Sequence, residues 1–439
     1  MLTRMMEPAL AAGLLHEVLP AFRTHRRAQL RSLSIADIKP GPSWTVQYHC
    51  ELDSKPALLV VQHVPDGDLE LGREKLLRQA GRLRPERRSL ADLVAARPEL
   101  RLLIWPFPLD PKLRRLPEAA DDVQARLALQ ASPRLASLIP QAADCQVEVL
   151  RYVPGRRCQL RYRFTGRDGA VTFLGKMLPR ARAQALYEAM NTVAEHYLAC
   201  KAGALAAARA LEFLDEWDMV VQEHLPGATL HELMYKGLAR EDHIVSAARS
   251  IAHLHRARFE PRKRHVVEDE IALIERSVHN LAASGTAESA FTEALEGVAA
   301  LGRSLAPSPL APVHRDFYDK QLLIEASRAA LIDLDTLAAG CVEIDLANFA
   351  AHLRLRSLQG VIGAFEANSW QQMFLAEYEL ASERRIGEDL LRFFLTTALL
   401  RLACKYRLSE QGAVLGPALL DGAEAALRDG VALPLLKES

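Results

Sequence analysis

The sequence has no net charge and no long apolar run. Its 439 residues include 55 lysines and arginines and 55 aspartates and glutamates, so no overall electric field favours nucleic acid or an anionic surface. No uncharged apolar run approaches the ~20 residues that a transmembrane helix requires. We therefore expect neither nucleic acid nor a membrane to be a partner of this protein.

Cysteine is also scarce, and its six copies are scattered. None of them shows the close spacing of a metal site, and a chain of this length can build its cores without disulfide bonds. The first eight residues do not follow the basic-then-apolar order of a signal peptide. These observations favour a reduced, cytoplasmic protein. The cysteines are Cys50, Cys145, Cys158, Cys200, Cys341 and Cys404.

Two blocks of β-prone residues precede a long helical region. Alternating apolar residues and turn signals predict strands in both blocks, and helical periodicity predicts helices around and after them. From Thr229 onward we expect almost only helices, with one small hairpin near residue 320. The predicted strands are 44–49, 57–64, 102–105, 147–153, 159–164, 171–178, 219–224 and the hairpin 321–324 with 329–333. The predicted helices include 8–22, 69–83, 89–96, 123–138 with a break or kink at Pro133, and 181–214 with a break near Cys200 to Gly203.

The two β blocks match one another without a gap. The prolines that open and close each block, Pro40 with Pro65 and Pro154 with Pro179, are 25 residues apart in both. Tyr48 corresponds to Tyr162 at the same offset. We interpret the first block as a degenerate copy of the second. The alignment also places Gln62 opposite Lys176, so only the second copy would carry a cation.

The run from His314 to Gln321 contains the strongest chemical signal. Asp316 follows a His–Arg pair, Gln321 follows it five residues later, and Asp333 comes 17 residues after Asp316 at the end of an apolar run. Phosphoryl transfer requires such a set, with one carboxylate to accept a hydroxyl proton and oxygen ligands to hold Mg²⁺. A carboxylate in the apolar setting of Asp333 would be costly to bury without a compensating charge.

This run resembles the catalytic loop and metal-binding strand of the kinase-like phosphotransferases, which include aminoglycoside phosphotransferases, choline kinases and maltokinases. The resemblance implies that Asp316 is the catalytic carboxylate, that Asp333 and Gln321 hold the metal, and that His314 and Asp345 are structural. Asp335, two residues after Asp333, is a second possible metal contact. The family generally has asparagine where this chain has Gln321, and many of its members have glycine at the position of Arg315.

The resemblance also implies a nucleotide site upstream. Lys176 lies on the third strand of the second β block, where the family has its phosphate-binding lysine, and Glu188 on the following helix is its implied partner, with Glu195 as the alternative. The backbone from Glu223 to Leu225 corresponds to the segment that binds adenine. No Walker A pattern and no glycine-rich loop occurs, and the turn at 154–158 takes the place of that loop. It is either a phosphate-binding turn or an ordinary basic hairpin turn.

The implied architecture is an α+β, bilobal, protein-kinase-like fold with a small antiparallel β lobe, a large helical lobe and an extra N-terminal α/β cap domain. We predict boundaries at 1–138 for the cap, 139–225 for the small lobe and 226–439 for the large lobe. The cofactors would be ATP and Mg²⁺, and the partner a small-molecule hydroxyl acceptor. A sugar or amino sugar is preferred, followed by an aminoglycoside or amino alcohol. Acidic candidates for the acceptor site are Glu366, Glu377 and Glu379.

Two other functions are consistent with parts of the pattern. Gln321 and the missing glycine-rich loop would also suit a kinase-like binding or scaffold protein that has lost catalysis. The His–Arg–Asp sequence is typical of protein kinases, but only 11 residues separate Asp333 from Asp345. That interval is too short for the activation segment that binds a peptide substrate.

Overall fold

The computed structural model describes residues 2–19, 30–39, 43–52, 55–199, 205–283, 289–326, 328–407 and 412–429. The chain divides into two compact units, Met1–Tyr187 with Ala210–His224 and Glu188–Arg209 with Leu225–Ser439. Each unit combines antiparallel strands with helices, which is the predicted α+β class. Within the described ranges, no helix is both long and apolar enough to cross a bilayer.

The first unit contains two five-stranded sheets and the helices that pack on them. Its last two strands follow a short strand that belongs to the second unit. In chain order the elements are α1 (Leu2–Met5), α2 (Pro8–Val18), β1 (Leu30–Lys39), β2 (Thr45–Leu52), β3 (Lys55–His63), α3 (Leu69–Ala80), β4 (Ala95–Arg97), β5 (Leu102–Pro106), α4 (Leu116–Ala119), α5 (Asp122–Ala131), α6 (Pro133–Ala136), β6 (Asp144–Val153), β7 (Arg157–Gly166), β8 (Gly169–Met177), α7 (Arg180–Ala199), β9 (Leu205–Ala207), β10 (Ala210–Leu214) and β11 (Met219–Glu223).

The two sheets have the same topology. Their strand orders are β1-β2-β3-β5-β4 and β6-β7-β8-β11-β10, so in each a three-stranded meander is extended by a later hairpin whose second strand joins the meander. The register also agrees. Thr45 pairs with Gln62 in the first sheet, and Gln159 pairs with Lys176 in the second. Both members of the second pair are 114 residues after their counterparts in the first. Gln62 and Lys176 therefore occupy the same position in their sheets.

The helices before each sheet repeat as well. Elements α1 and α2 precede the first sheet as α4 and α5 precede the second, again 114 residues apart. The hydroxyl of buried Tyr48 donates to the carbonyl of Met5 at 2.5 Å, and that of Tyr162 donates to the carbonyl of Ala119 at 3.1 Å. We call α1 to β5 the first repeat, and α4 to β8 with β10 and β11 the second repeat. The second repeat thus begins near residue 116, before the boundary predicted at 139.

The gap-free alignment is wrong for the first strand of each repeat. Thr45 and Gln159 are equivalent positions on the second strands, 114 residues apart. Thr45 pairs with Lys39 and Gln159 pairs with Arg151, so equivalent positions on the first strands are 112 residues apart. Each of these strand pairs contains a register shift. Five residues lie between Lys39 and Thr45 and seven between Arg151 and Gln159, so the two-residue difference arises between the first and second strands.

The two repeats share a hydrophobic core. One face of the first sheet packs on α1 and α2 through residues such as Trp44 and Val46. The other face, with Val60 and Trp105, belongs to the core that α5 and the second sheet also line. The helices of the second repeat are therefore buried between its own sheet and the first repeat.

Two predicted elements differ from the structure, and one strand was not predicted. The unpredicted strand is Leu30–Lys39. In the region predicted as helix over 181–214, the helix ends at Ala199, and strands at 205–207 and 210–214 follow. The break predicted near Cys200 to Gly203 lies outside the described residues. The helix predicted over 89–96 is a 3₁₀ segment, Pro85–Leu93, followed by β4. The strand Ala210–Leu214 contains alanine, leucine and glutamate, which favour helices, and tertiary pairing overrides that preference.

The second unit is mainly helical but contains more β structure than predicted. A four-stranded sheet has the order β12-β15-β16-β9, and a three-stranded sheet, not predicted, has the order β13-β17-β14. Its elements after β11 are β12 (Ala228–Thr229), α8 (Leu230–Tyr235), α9 (Glu241–His255), β13 (Arg264–His265), α10 (Val267–Ala283), α11 (Ser289–Ser304), β14 (Ala311–Val313), β15 (Leu322–Glu325), β16 (Arg328–Leu331), β17 (Ala338–Gly340), α12 (Glu343–Leu358), α13 (Ala364–Ser382), α14 (Glu388–Arg407) and α15 (Gly412–Asp429).

Candidate active site

The loop from His314 to Gln321 connects β14 to the predicted hairpin of β15 and β16. The hairpin returns the chain so that the backbone N–H of Ile332 donates to the carbonyl of Gln321 at 3.1 Å. The His314 ring donates from Nε2 to the carbonyl of Ile332 at 2.8 Å. Two contacts therefore tie the loop that carries Asp316 to the segment that carries Asp333.

Asp345, at the start of α12, anchors the backbone of the loop. Its carboxylate is fully buried and accepts the backbone N–H of His314 at 2.7 Å and that of Arg315 at 2.6 Å. It also accepts Nε2–H of buried His255 at 3.0 Å, and the other nitrogen of that ring bonds the hydroxyl of Tyr378 at 2.9 Å. These three donors compensate for the burial of the Asp345 charge.

Two further loop residues anchor the loop to the helices, and sequence reasoning missed both. Phe317 is fully buried and stacks on Phe349 of α12, with ring centroids 5.5 Å apart. Asp319, 2% exposed, accepts two hydrogen bonds from Arg356 of α12 at 2.9 and 3.2 Å and one from His231 of α8 at 2.6 Å. Burial alone would raise the pKa of Asp319, but its bonds to His231 and Arg356 hold it at about 2.

Two residues of the site have left-handed backbone conformations. Arg315 has φ +68° and Asp333 has φ +62°. A non-glycine residue in this region costs roughly 1–2 kcal/mol, although aspartate tolerates it better than most residues do. The conformation of Arg315 explains why glycine suits this position in many family members. The hydrogen bond from its N–H to Asp345 holds the strained backbone in place here.

Asp316 projects into a partly exposed position beside Gln321. The Gln321 amide nitrogen donates to Oδ2 of Asp316 at 3.3 Å, so the longer side chain reaches back to the carboxylate. Burial raises the pKa of Asp316, and the nearby charge of Asp333 raises it further, while His314, Arg401 and the Gln321 bond act in the opposite direction. A raised pKa makes a carboxylate a better proton acceptor at neutral pH.

The second sheet positions the other candidate residues of the first unit. Lys176 is 5% exposed and pairs with Gln159 of β7 and Val220 of β11. The turn 154–156 joins β6 to β7 at the same end of the sheet, because β7 begins there and β8 ends there. Glu223 lies at the end of β11 opposite Phe173. All these positions agree with the expected strand placement.

The remaining candidates belong to the second unit. Glu188 is on α7, where its Oε2 lies 2.7 Å from Nη2 of Arg262, so its pairing with Lys176 stays a prediction. Glu195 is exposed. Leu225 precedes the turn at Gly227, which has φ +113° and lies so close to β15 that a Cβ would be 2.5 Å from the carbonyl oxygen of Ile324. Glycine is therefore required there.

The acidic candidates for the acceptor site already have hydrogen-bond partners. Glu377 accepts Arg249 at 2.6 Å, Glu379 accepts the backbone N–H of Ile386 at 2.9 Å, and Glu366 caps the start of α13. Their role in binding an acceptor stays a prediction.

The loop, the hairpin and the Asp345 anchor define a kinase-like phosphotransferase. The model of the phosphotransferase enzyme family matches residues 149–376, just over half of the chain, and the chain belongs to this family. The matched range contains most of the second sheet, Lys176 and the whole segment from His314 to Asp345. The protein is thus an enzyme of the small-molecule phosphotransferase class.

Solved structures with similar folds include a macrolide 2'-phosphotransferase, MphH, from Brachybacterium faecium (16% identity, 69% of this chain and 98% of that chain, TM-score 0.42). A choline kinase from Cryptosporidium parvum covers 69% of this chain and 94% of its own at 11% identity and TM-score 0.49. The aminoglycoside phosphotransferase APH(4)-Ia, solved with AMP-PNP and hygromycin B, gives 16% identity, 66% and 95% coverage, and TM-score 0.45. No curated protein sequence matches the chain.

We predict that Asp345→Ala lowers the free energy of unfolding by about 3–5 kcal/mol, because it leaves the N–H groups of His314, Arg315 and His255 without an acceptor. Urea titration followed by circular dichroism measures the loss. The matched control is Asp215→Ala, which removes an exposed ion pair with Arg180 and should cost at most about 1 kcal/mol. Equal losses for both variants would show that Asp345 does not support the loop.

A second prediction concerns acid stability. Burial lowers the pKa of His352 to about 4, against the opposing charge of Asp319 and with smaller contributions from Arg356 and Arg401. The unfolded chain, with a histidine pKa near 6.5, therefore binds a proton that the folded chain does not bind between about pH 6.5 and pH 4. We expect this residue alone to remove about 3 kcal/mol of stability as the pH falls through that interval.

His352→Phe should flatten this acid dependence. The phenyl ring can keep the stack on Tyr318, whose centroid lies 4.2 Å from that of His352, but it cannot take up a proton. Urea midpoints measured from pH 7.5 to pH 4.5 test the expectation, with His49→Phe, at an exposed position of β2, as the control. A wild-type slope retained in His352→Phe would contradict it.

Proposed function

We propose that this chain transfers the terminal phosphoryl group of ATP to a hydroxyl of a small molecule. The observation that carries the proposal is the position of Asp316, which has a raised pKa and lies on a loop that Asp345, Phe317 and Asp319 fix to the helices. A carboxylate held in this way can align an acceptor hydroxyl and take its proton.

The nucleotide would contact the residues that the family pattern implies. Lys176 would bind phosphate oxygens as a buried cation, with Glu188 as its predicted ion-pair partner, and the backbone of Glu223 to Leu225 would bind the adenine ring. The N–H groups of Gly155 and Arg156 are bonded within the protein, so the turn 154–156 would contact the phosphates through the neighbouring arginines. Its location beside the end of β8 that carries Lys176 supports this assignment.

The metal would be held by Asp333 and Gln321. A carboxylate and an amide oxygen are hard ligands of the kind that Mg²⁺ prefers, and Mg²⁺ commonly completes its shell with phosphates and water. When bound, the ion would neutralise charge on the phosphates.

For the acceptor we propose a sugar or amino sugar first, and an aminoglycoside or amino alcohol second.

The five described cysteines are buried and unpaired, which suits a reducing, cytoplasmic location. The second candidate function is a catalytically weakened kinase-like binding or scaffold protein, favoured by Gln321 because its amide is directed to Asp316.

Asp316→Asn tests the catalytic assignment. We expect turnover to fall by about 10²–10⁴-fold, because asparagine cannot accept the hydroxyl proton, while Mg–ATP affinity stays within about threefold. Calorimetry measures affinity, and coupled ADP detection with a panel of sugars, aminoglycosides and amino alcohols measures turnover. Asp168→Asn, in the exposed turn between β7 and β8, is the control. Absence of Mg–ATP binding in the wild-type protein would reject the kinase function in favour of the scaffold.

Gln321→Asn tests the unusual amide. The shorter side chain loses its reach to Asp316, so we expect turnover to fall about fivefold, the equivalent of one hydrogen bond, with metal affinity unchanged. Gln321→Ala, which removes both the bond and the metal ligand, should weaken metal binding in addition. A sharp rise in turnover for Gln321→Asn would instead identify the native loop as a weakened site.

A further inference from the structure

Asp110 is a buried carboxylate in the segment that joins the two repeats. It is 0% exposed, and its two oxygens accept four hydrogen bonds. Oδ1 accepts the backbone N–H groups of Lys112 and Leu113, each at 2.8 Å. Oδ2 accepts the hydroxyl of Tyr152 and the backbone N–H of Gly155, each at 2.7 Å. One carboxylate thus connects the joining segment to the turn between β6 and β7.

The main chain of Asp110 is itself fixed to the first repeat. The side-chain amide of Gln79, on α3 and 3% exposed, donates to the carbonyl of Asp110 at 2.5 Å. The same amide accepts the N–H of Asp110 through its oxygen at 3.0 Å. Asp110 is therefore held by a helix of the first repeat while its carboxylate holds a turn of the second.

The turn that Asp110 holds has a left-handed residue at its centre. Gly155 has φ +65°, a conformation that glycine adopts readily. Arg156 is exposed and closes the turn with an N–H bond to the carbonyl of Val153 at 3.0 Å. Pro154 has no N–H group, so the bonds from Gly155 to Asp110 and from Arg156 to Val153 fix the backbone from which the exposed Arg156 side chain projects.

We propose that Asp110 is a positioning residue that holds the turn 154–156 in the conformation that binds the phosphates of the nucleotide. The inference rests on the proposed function, in which this turn contacts ATP. It assigns the first repeat a role in nucleotide binding although Gln62 replaces the cation there. Binding to a turn that is already ordered avoids the entropic cost of ordering it when the nucleotide arrives.

Asp110→Asn tests whether Asp110 holds the joining segment and the turn together. An asparagine can accept with one end only, so in either orientation the joining segment or the turn loses its acceptor. We expect the Kd and the KM for Mg–ATP to rise about tenfold with kcat within about twofold, because ordering is now required on binding. Hydrogen exchange of the peptide around Gly155, measured by mass spectrometry without nucleotide, should become faster.

Tyr152→Phe is the matched control. It removes a buried hydroxyl from the same carboxylate, and an acceptor from Trp105 Nε1 at 3.2 Å, but leaves the bond from Gly155 to Asp110 intact. We expect a lower melting temperature with Kd for Mg–ATP within about twofold of wild type. Equal changes in Kd for both variants, or no change in Asp110→Asn, would overturn the positioning role and leave Asp110 as a purely structural residue.

Two other outcomes are distinguishable. If wild-type protein does not bind Mg–ATP, the proposed function itself fails, and the positioning role fails with it. If Asp110→Asn does not fold, exchange in the wild-type protein decides. Protection of the Gly155 amide before nucleotide is added supports the proposal, whereas complete exchange at the earliest time point overturns it.

Discussion

The acceptance of two consecutive backbone N–H groups by Asp345 is the contact on which the candidate site depends. A carboxylate with no exposed surface is costly unless donors surround it, and here the donors are the loop backbone itself and His255. The stability of the helical core is thereby coupled to the geometry of the loop. Arg315, which supplies one of these two N–H groups, has a left-handed backbone conformation.

The other anchors explain how a reactive residue can be exposed on a rigid loop. Phe317 and Asp319 point into the helices, the first by ring stacking and the second by a buried bidentate ion pair with Arg356. Asp316 directly precedes the inward-pointing Phe317 and keeps partial exposure. A single buried ion pair contributes little net stability, but removal of one partner would leave an uncompensated charge. The Asp319 pair therefore favours one loop conformation more than it favours folding as a whole.

The sequence predicted the parts of the site that lie within one local run. The His314 to Gln321 loop, the hairpin after it and the position of Asp345 all follow from short spacings and from the family pattern, and family membership is confirmed. The partners of Asp319 could not be predicted. Arg356 is 37 residues away and His231 is 88 residues away, and nothing in their local sequence distinguishes them from other polar residues of a helix. The prediction of a helix over 210–214 was wrong for a related reason. Its pairing with β11 and not its own alanine and leucine content determines its conformation.

The repeated sheets show that one backbone arrangement accommodates either a cation or an uncharged amide at the same position. Gln62 and Lys176 occupy the same register position, flanked by equivalent strands, and α1 and α2 precede the first sheet at the spacing at which α4 and α5 precede the second. The difference between the repeats at this point is one side chain, an uncharged amide in place of a buried ammonium group. Because the backbone is the same in both, loss or gain of the cation needs no change of topology. The two repeats therefore share a backbone arrangement and differ in charge at this position.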